Sequence, residues 1–369
     1  MNRKKSVLIF LPSCQDNHES YYNVLINRVF SQKQIIVLAY NSRIGINKSV
    51  NTKIVLSKKG ESLIRFTLRN SKYFFKASLI VFEELYSYSF LLPLYLFVFG
   101  KKTLLSIHNV NKWLRRENDS KISLKNFTIQ TIIKSVKGLI VISLSLKEYI
   151  QENKLFTKEI YYFPFIDTTN AKAINLNKNK KLIQFTIPGT INTERRDYKV
   201  FLKAILLLIQ KNHEVQLTLL GKVVRLGEEE RKLILEINRK RNNTVKYWNT
   251  FIDNNTFETE ILKSNFLIGN INIEYTENQV REVYGQSKET GVLFLMLKYG
   301  IPTLFPKEYR SPHLYNTLIL KYENSLSGIL ECLQKIVENQ IQFEYSEQSL
   351  IYHEQLVNEE IVSVHKSIN

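Results

Sequence analysis

The sequence has few residues suited to covalent or metal-based stabilisation. Its 369 residues include only two cysteines, Cys14 and Cys332, which are far apart and match no metal-ligand or redox spacing. A disulfide framework is therefore excluded, and two free thiols in a reducing compartment are expected. The six histidines form no metal-ligand pattern, and the sequence contains no P-loop, GxSxG or HExxH motif.

Long hydrophobic runs are also absent. The longest apolar stretch covers residues 90–100, whereas a membrane-spanning helix needs roughly 20 apolar residues. We therefore expect a core or interfacial helix there and no membrane span. The basic N-terminus followed by an apolar run at 7–11 resembles a signal peptide, but the run is too short and no cleavage-like site follows it. We interpret it as a first buried strand and predict a cytoplasmic protein.

Positive charge is abundant. Fifty-two Lys and Arg against 34 Asp and Glu give a formal net charge of +18. This charge is compatible with compositional bias, or with attraction to anionic lipid, an anionic substrate or nucleic acid. The lysines are dispersed and no nucleic-acid recognition motif is present, which disfavours the last of these. Hydrophobic residues make up 44% of the chain, so sizeable buried cores are expected.

Short apolar runs alternate with segments of helical spacing in the first half of the chain. Buried parallel strands are predicted at 7–11, 35–40, 77–82, 102–107 and 138–142, with helices at 22–30 and 90–99. Continuous apolar strands indicate a sheet that is covered on both faces.

The alternation restarts after a polar segment rich in Asn and Lys. Strands are predicted at 181–187, 215–220, 245–248, 266–271 and 301–305, and helices at 198–210, 228–240, 257–264 and 290–299. We predict an α/β protein of two Rossmann-like domains, whose parallel sheets face a central cleft. The predicted boundaries are 1–166 for the first domain, 167–181 for the linker, 182–345 for the second domain and 346–369 for a helical tail.

The first motif follows the first strand of the second half. Gly189 and Thr190 follow the strand, and Arg195 and Arg196 precede a predicted helix. A glycine lets the backbone approach a ligand closely, and a helix N-terminus favours phosphate through its free N–H groups. Paired arginines add bidentate donors for a diphosphate. The alternative is an ordinary strand–turn–helix with a solvated basic corner.

The second motif opens an apolar helix. Residues 284–291 place two glycines, hydroxyls, a lysine and a glutamate at the N-terminus of this helix, and Gly300 follows its end. We predict donor binding here, with the hydroxyls facing phosphate and Glu289 accepting hydrogen bonds from sugar hydroxyls. The candidate donor-binding residues are Tyr284, Gly285, Ser287, Lys288, Thr290 and Gly291. The alternative is a simple helix cap.

The third motif is His108, at the carboxyl end of the strand predicted at 102–107. Ligands of open α/β sheets gather beyond the carboxyl ends of the strands, and a histidine there can position a phosphate or a sugar hydroxyl. A structural histidine is equally compatible with the sequence. His18 also follows a predicted strand, but its polar neighbours make a plain loop the favoured interpretation.

The order of these pieces resembles the GT-B glycosyltransferases, and in particular the family 4 enzymes that build bacterial surface polysaccharides. The resemblance is carried by residues 105–109, 136–149, 163–165, 187–198, 217–221, 284–291 and 299–302. It implies that the second domain holds a nucleotide-sugar donor and the first an acceptor. Gly189 and Thr190 then match the donor loop, Arg195 the residue that contacts the diphosphate, and His108 the histidine at the cleft.

One part of the family pattern differs. The family has a pair of glutamates, and if Glu289 is the second, Arg281 occupies the place of the first. His108 and Glu289 are the predicted catalytic residues, and the sequence leaves open whether the transfer retains or inverts the configuration of the sugar.

We therefore predict a metal-independent glycosyltransferase without a cofactor. Its donor would be a UDP- or GDP-linked sugar, and its acceptor a glycan or a polyprenyl-diphosphate-linked oligosaccharide. No metal is expected, because basic side chains and a helix N-terminus can stabilise the departing diphosphate. The alternative function is that of a non-catalytic or nucleic-acid-binding basic α/β protein.

A contact with an anionic membrane surface is a further expectation. Residues 112–116 combine Trp113 with lysine and arginine, a composition typical of interfacial segments. The competing interpretation is that Trp113 packs inside the domain.

Overall fold

Two parallel sheets dominate the computed structural model, which describes residues 5–12, 18–40, 51–83, 98–115, 131–169, 182–194, 196–277, 279–339 and 347–368. Each sheet has seven strands. A separate two-stranded antiparallel hairpin belongs to the second half of the chain. Among the described residues, no helix is both long enough and apolar enough to cross a membrane.

The first sheet has the strand order β3-β2-β1-β4-β5-β6-β7, and its neighbouring strands are all parallel. Its strands are β1 (Ser6–Leu11), β2 (Gln34–Ala39), β3 (Thr52–Leu56), β4 (Leu79–Phe82), β5 (Thr103–Ile107), β6 (Gly138–Val141) and β7 (Glu159–Tyr162). The helices of this part are α1 (Glu19–Val24), continued by a π-helical turn at Leu25–Val29, then α2 (Leu63–Arg69), α3 (Ser71–Lys76), α4 (Val110–Leu114) and α5 (Leu144–Glu152). All six residues of β1 are buried, as expected for a central strand covered on both faces.

The second sheet has the path β11-β10-β8-β12-β15-β16, with β9 paired to β10. Its strands are β8 (Ile183–Pro188), β9 (Ile191–Asn192), β10 (Val215–Arg225), β11 (Val245–Trp248), β12 (Phe266–Ile268), β15 (Thr303–Pro306) and β16 (Ile319–Tyr322); β13 (Glu274–Glu277) and β14 (Val280–Val283) form the hairpin. The helices are α6 (Tyr198–Gln210), α7 (Glu228–Lys240), α8 (Asn254–Lys263), α9 (Gly291–Tyr299) and α10 (Leu326–Val337).

Both sheets reverse their winding at a central pair of strands. In the first sheet the reversal lies between β1 and β4, and in the second it lies between β8 and β12. In doubly wound sheets, ligands bind at the carboxyl ends of the strands beside such a reversal. The topology therefore identifies one candidate ligand edge in each half of the molecule.

The last helix, α11 (Glu347–Ile368), connects the two halves. Near its start, the Ser349 hydroxyl lies 2.7 Å from that of Thr317 in the second half. Further along, Glu354 accepts a hydrogen bond from Arg28 at 2.6 Å, and Ile368 packs in the core of the first half. The segment predicted as a helical tail is thus a helix that crosses back to the first domain.

The strand–helix alternation predicted from the sequence is confirmed as an α/β fold with two parallel sheets. Helices 198–210 and 228–240 and strand 245–248 have the predicted bounds. The elements that the sequence analysis missed include β3, β7, β16 and the hairpin. Most of the helix predicted at 90–99, and residues 170–181 of the predicted linker, lie outside the described residues.

Candidate functional site

A cluster of polar side chains lies at the carboxyl edge of the first sheet, where the winding reverses. Glu83 directly follows β4, His108 directly follows β5, and His18 precedes α1 in the connection after β1. The three strands are neighbours in the sheet, in the order β1-β4-β5. Side chains that are far apart in sequence are brought together here because parallel strands end at a common edge.

Glu83 organises this cluster. One carboxylate oxygen lies 2.7 Å from His18 Nδ1, and the other accepts the Tyr22 hydroxyl at 2.5 Å. His108 Nε2 lies 4.0 Å from the carboxylate, which is too long for a hydrogen bond. The Glu83 side chain is 2% exposed, whereas each imidazole is 9% exposed. The carboxylate is therefore more deeply buried than either imidazole ring.

The two imidazoles differ in chemistry although they stack with ring centroids 4.7 Å apart. Burial, together with the neighbouring His18, lowers the pKa of His108 to about 3, so this ring is neutral at physiological pH. Phe165 packs edge-on against both rings and stacks on Phe294 of α9, with centroids 5.3 Å apart. The cluster thus lies next to the second domain.

Ligand atoms of His18, Glu83 and His108 lie within 4.8 Å of one another, a spacing that could hold a metal ion. The ring planes, however, differ by only 2°. Imidazole lone pairs lie in the ring plane, so two stacked parallel rings cannot both direct their lone pairs at one ion. The present ring orientations therefore suit a hydrogen-bonded cluster better than a metal centre.

The predicted donor loop lies at the carboxyl edge of the second sheet. Gly189 follows β8 with a φ of +102°, a backbone conformation that favours glycine. The half-buried Arg196 side chain lies over this loop and donates from Nη1 to the Pro188 carbonyl at 2.7 Å. Asp197 caps α6, and Thr190 is exposed beside it. Arg195 lies outside the described residues.

Residues 284–291 form a tight connection between the hairpin and α9. Gly285 has a φ of +77°, and an added Cβ would lie 2.2 Å from the Arg310 carbonyl oxygen, so a larger residue does not fit. Thr290 is the N-cap of α9 and accepts from the Val292 amide, while Gly291 begins the helix at the surface. The predicted helix opening is therefore present, with the Thr290 hydroxyl engaged in capping.

Ser287 and Lys288 lie where this connection meets the first domain. The Ser287 hydroxyl accepts from the Val283 amide at 2.9 Å and from Asn111 Nδ2 at 3.1 Å. The Lys288 ammonium lies 4.4 Å from the ring centroid of Tyr275 on the hairpin and 5.9 Å from that of Tyr284. Ser287 therefore joins the two domains through its hydrogen bond with Asn111. Lys288 lies beside this junction, against the hairpin.

A buried glutamate that the sequence analysis did not select strengthens this junction. The Glu282 carboxylate accepts from the backbone amides of Lys112 at 2.8 Å and Asn111 at 3.3 Å. Burial raises its pKa. It lies next to Arg281 in the chain, and it holds the hairpin against α4.

Glu289 is buried between the domains. Its Oε1 accepts from the Tyr309 hydroxyl at 2.6 Å and from the Thr290 amide at 2.8 Å, while Oε2 has no hydrogen-bond partner among the described residues. Burial raises the pKa of this carboxyl to about 7, and the hydrogen bonds from Tyr309 and Thr290 only partly offset that effect. Glu289 therefore carries a proton over much of the acid range.

The two predicted donor motifs share one edge of the second sheet. Asn270, just after β12, donates to the Asp197 carbonyl at 3.1 Å and ties the start of α6 to the connection that leads to the hairpin. The donor loop and residues 284–291 therefore flank the winding reversal of this sheet. Their joint role in donor binding stays a prediction.

The structure corrects one part of the predicted membrane contact, the insertion of Trp113, and the contact itself stays a prediction. Trp113 is 1% exposed and belongs to the core of the first domain. Arg115 donates to the Tyr149 hydroxyl at 2.9 Å. Because Trp113 is packed in this core, it is not available for insertion into a bilayer. Arg116 lies outside the described residues.

Several solved structures share this architecture over nearly the whole chain. WaaG, a glycosyltransferase involved in lipopolysaccharide biosynthesis, has a TM-score of 0.57 at 10% identity, with 99% of each chain covered. A glycosyltransferase from Rickettsia africae ESF-5 has a TM-score of 0.56 at 11% identity, again with 99% of each chain covered. A structure from E. coli described as trehalose-6-phosphate bound with UDP-2-fluoro glucose has a TM-score of 0.55 at 8% identity and the same coverage.

By sequence, no family model and no curated protein matches the chain. At these identities the structural likeness shows the fold. The chain has the GT-B fold, as its resemblance to those glycosyltransferases implied.

Proposed function

We propose that this protein is a glycosyltransferase that moves a sugar from a nucleotide-sugar donor to a glycan or lipid-linked acceptor in surface polysaccharide synthesis. The main support is that both sheets have polar residues at the carboxyl ends of the strands where the winding reverses. These two sheet edges approach each other at Ser287 and Asn111, which are hydrogen-bonded. The likeness to glycosyltransferase structures, one of them involved in lipopolysaccharide biosynthesis, supports this proposal.

The donor would lie along the edge of the second sheet. The donor loop at Gly189 and Thr190 offers backbone groups, and Arg196 offers a guanidinium at the start of a 13-residue helix. Anionic diphosphate is stabilised by such a combination of cation and helix N-terminus. Lys288, beside the domain junction, supplies a second cation. These groups can stabilise the leaving diphosphate without a metal ion.

The acceptor would approach the edge of the first sheet, where His18, Glu83 and His108 lie. A hydroxyl nucleophile has to lose a proton as it attacks the sugar, and imidazole is the side chain whose unperturbed pKa suits that task near neutral pH. In this proposal the second domain binds the nucleotide-sugar donor, and the first domain accepts the proton from the acceptor hydroxyl. Glu289 lies in the layer between them.

The test is a thermal-shift panel of UDP-, GDP-, ADP- and CMP-sugars on the full chain. A bound donor raises the unfolding temperature by mass action, and about 100 Kd of ligand stabilises by about 2.7 kcal/mol. We expect one nucleotide class to bind, and Arg196→Ala to weaken its binding at least tenfold. Arg239→Ala, which removes an exposed arginine from the end of α7, is the matched control and should bind normally. Failure of every nucleotide sugar to bind would refute the proposed function.

A further inference from the structure

We propose that one side of the helical segment 63–76, which comprises α2 and α3, is a docking surface for an anionic lipid bilayer. We call this side the docking face, and it consists of the side chains that residues 64–76 expose to solvent. The inference does not depend on the proposed function. It assigns the expected membrane contact to a surface of the first domain other than residues 112–116.

The helices α2 and α3 form a nearly continuous amphipathic segment. Asn70 connects them, and both its backbone amide and its side-chain amide donate to the Phe66 carbonyl, at 3.2 Å and 2.8 Å. Positions 63, 66, 67, 70 and 74 recur at helical spacing and are all buried. Phe74 packs edge-on against Phe10 of β1, with ring centroids 5.3 Å apart. One side of the segment is therefore held against the sheet, and the opposite side faces solvent.

The solvent side of the segment carries large apolar side chains. Phe75 is 68% exposed, Leu68 is 52% exposed and Ile64 is 38% exposed. Phe75 also contacts Phe99, with ring centroids 4.9 Å apart, and the neighbouring Val98 is 57% exposed. A single exposed apolar residue is ordinary, but several on one side of the same segment form a patch, and such patches mark interaction sites.

The same part of the first domain exposes only positive charge. Every lysine and arginine within residues 51–83 is exposed, and the two acids of this range, Glu61 and Glu83, are both buried. Glu83 belongs to the histidine cluster, and Glu61 accepts two hydrogen bonds from Arg69, each at 2.8 Å. No exposed carboxylate of residues 51–83 offsets these cations, so the docking face attracts an anionic partner.

A lipid bilayer matches both properties of the docking face. Its anionic headgroups attract lysine and arginine, and its acyl boundary accepts apolar side chains such as Leu68 and Phe75. A nucleic acid duplex would use the cations through its phosphates, but its outer surface offers little to Ile64 and Leu68. Protein interfaces are depleted of lysine at their centre, whereas here Lys72 stands between the apolar positions. The mixture of cations and apolar residues on one helical side therefore favours lipid.

The docking face begins at the edge of the first sheet that carries the polar cluster. Strand β3 runs parallel to β2, and α2 follows β3 in the chain, so α2 starts at the carboxyl edge of the sheet. Lys58 and Lys59 are exposed in the connection between them. Glu83 and His108 follow strands that end at the same edge. A chain docked on this face holds the β3 end of that edge close to the lipid headgroups.

The test is sedimentation of the full chain with vesicles of phosphatidylcholine alone and of phosphatidylcholine mixed with phosphatidylglycerol. We expect binding only to the anionic vesicles, and binding that weakens as salt is added. Phe75→Ser removes the most exposed apolar side chain of the face, and the double variant Lys72→Glu with Lys76→Glu reverses two of its charges. Each should weaken vesicle binding at least tenfold, because each basic residue near an anionic surface and each inserted apolar side chain contributes to adsorption.

Matched controls separate the docking face from general effects of charge and hydrophobicity. Phe251→Ser removes an aromatic side chain that is 77% exposed in the second domain, and Arg239→Glu with Lys240→Glu makes the same change in net charge at the exposed end of α7. Both should bind vesicles as the wild type does. All four variants lie at exposed positions, so their unfolding temperatures should equal that of the wild type.

Three results would overturn the proposal. They are no binding of the wild type to anionic vesicles, equal vesicle binding by Phe75→Ser and Phe251→Ser, and binding to a short DNA duplex in place of vesicles. Nucleotide-sugar binding is measured separately by thermal shift and does not require the docking face. A failed vesicle experiment therefore leaves the proposed function standing, and a failed nucleotide-sugar panel leaves the docking face standing.

Discussion

Glu289 allows a quantitative test of the structure, because its carboxyl is buried and ionisable. Burial raises its pKa from 4.5 to about 7. A difference of one pH unit in pKa corresponds to about 1.4 kcal/mol between protonation states. The ionised form therefore costs the folded state about 3 kcal/mol relative to the neutral form.

The pH dependence follows from which state holds the proton. Below about pH 4.5 both the folded and the unfolded chain are protonated at this position. As pH rises toward 7, the unfolded chain releases its proton first, so the folded chain loses stability over this window. Above about pH 7 both states have released the proton, and the stability of the folded chain falls no further for this reason. Replacing Glu289 by glutamine keeps the shape, and the amide oxygen can still accept from Tyr309 and Thr290.

We expect Glu289→Gln to match the wild type in unfolding free energy at pH 4.5 and to exceed it by about 3 kcal/mol at pH 8. Urea unfolding followed by tryptophan fluorescence measures this difference, since Trp113 and Trp248 report on the two domains. The matched control is Glu236→Gln on the exposed face of α7, which should leave the difference near zero at both pH values. Parallel pH profiles for Glu289→Gln and the wild type would refute the burial of an ionisable carboxyl at the domain junction.

Two further changes test the junction and the first core. Glu282→Ala removes the acceptor of the Asn111 and Lys112 amides, so the domains should part and the radius of gyration measured by X-ray scattering should rise. Glu274→Ala, at an exposed position of the same hairpin, is the control and should leave the radius unchanged. Equal radii for the two variants would contradict the role of Glu282. Trp113→Ala should lower the unfolding free energy by about 3–5 kcal/mol, because it opens a cavity in the core. If Trp113→Ala instead keeps its stability and loses liposome binding, the membrane role of this residue is restored.

Sequence patterns predicted the central strands of the first sheet, whose burial is continuous. Residues 7–11 are apolar without interruption because β1 is covered on both faces, and this pattern distinguishes a central parallel strand. The edge strand β3 was missed, since it is only partly buried and carries a weak apolar signal. Local chemistry also predicted the opening and the end of α9, where Thr290 caps the helix and Gly300 adopts the left-handed conformation.

The sequence by itself selected His108 because it follows an apolar strand, Gly189 and Arg196 because they stand between a strand and a helix, and Glu289 because it stands at the opening of an apolar helix. It gave little weight to His18 because its neighbours are polar, and it gave no role to Glu83, although Glu83 directly follows the strand predicted at 77–82. Only the tertiary structure joins the ends of β1, β4 and β5 and so pairs these two side chains at 2.7 Å. It also decided that Trp113 is buried and that the last helix returns to the first domain. Strand periodicity determines which residues are buried, but strand order brings distant side chains into contact, and that order is set by packing across the whole sheet.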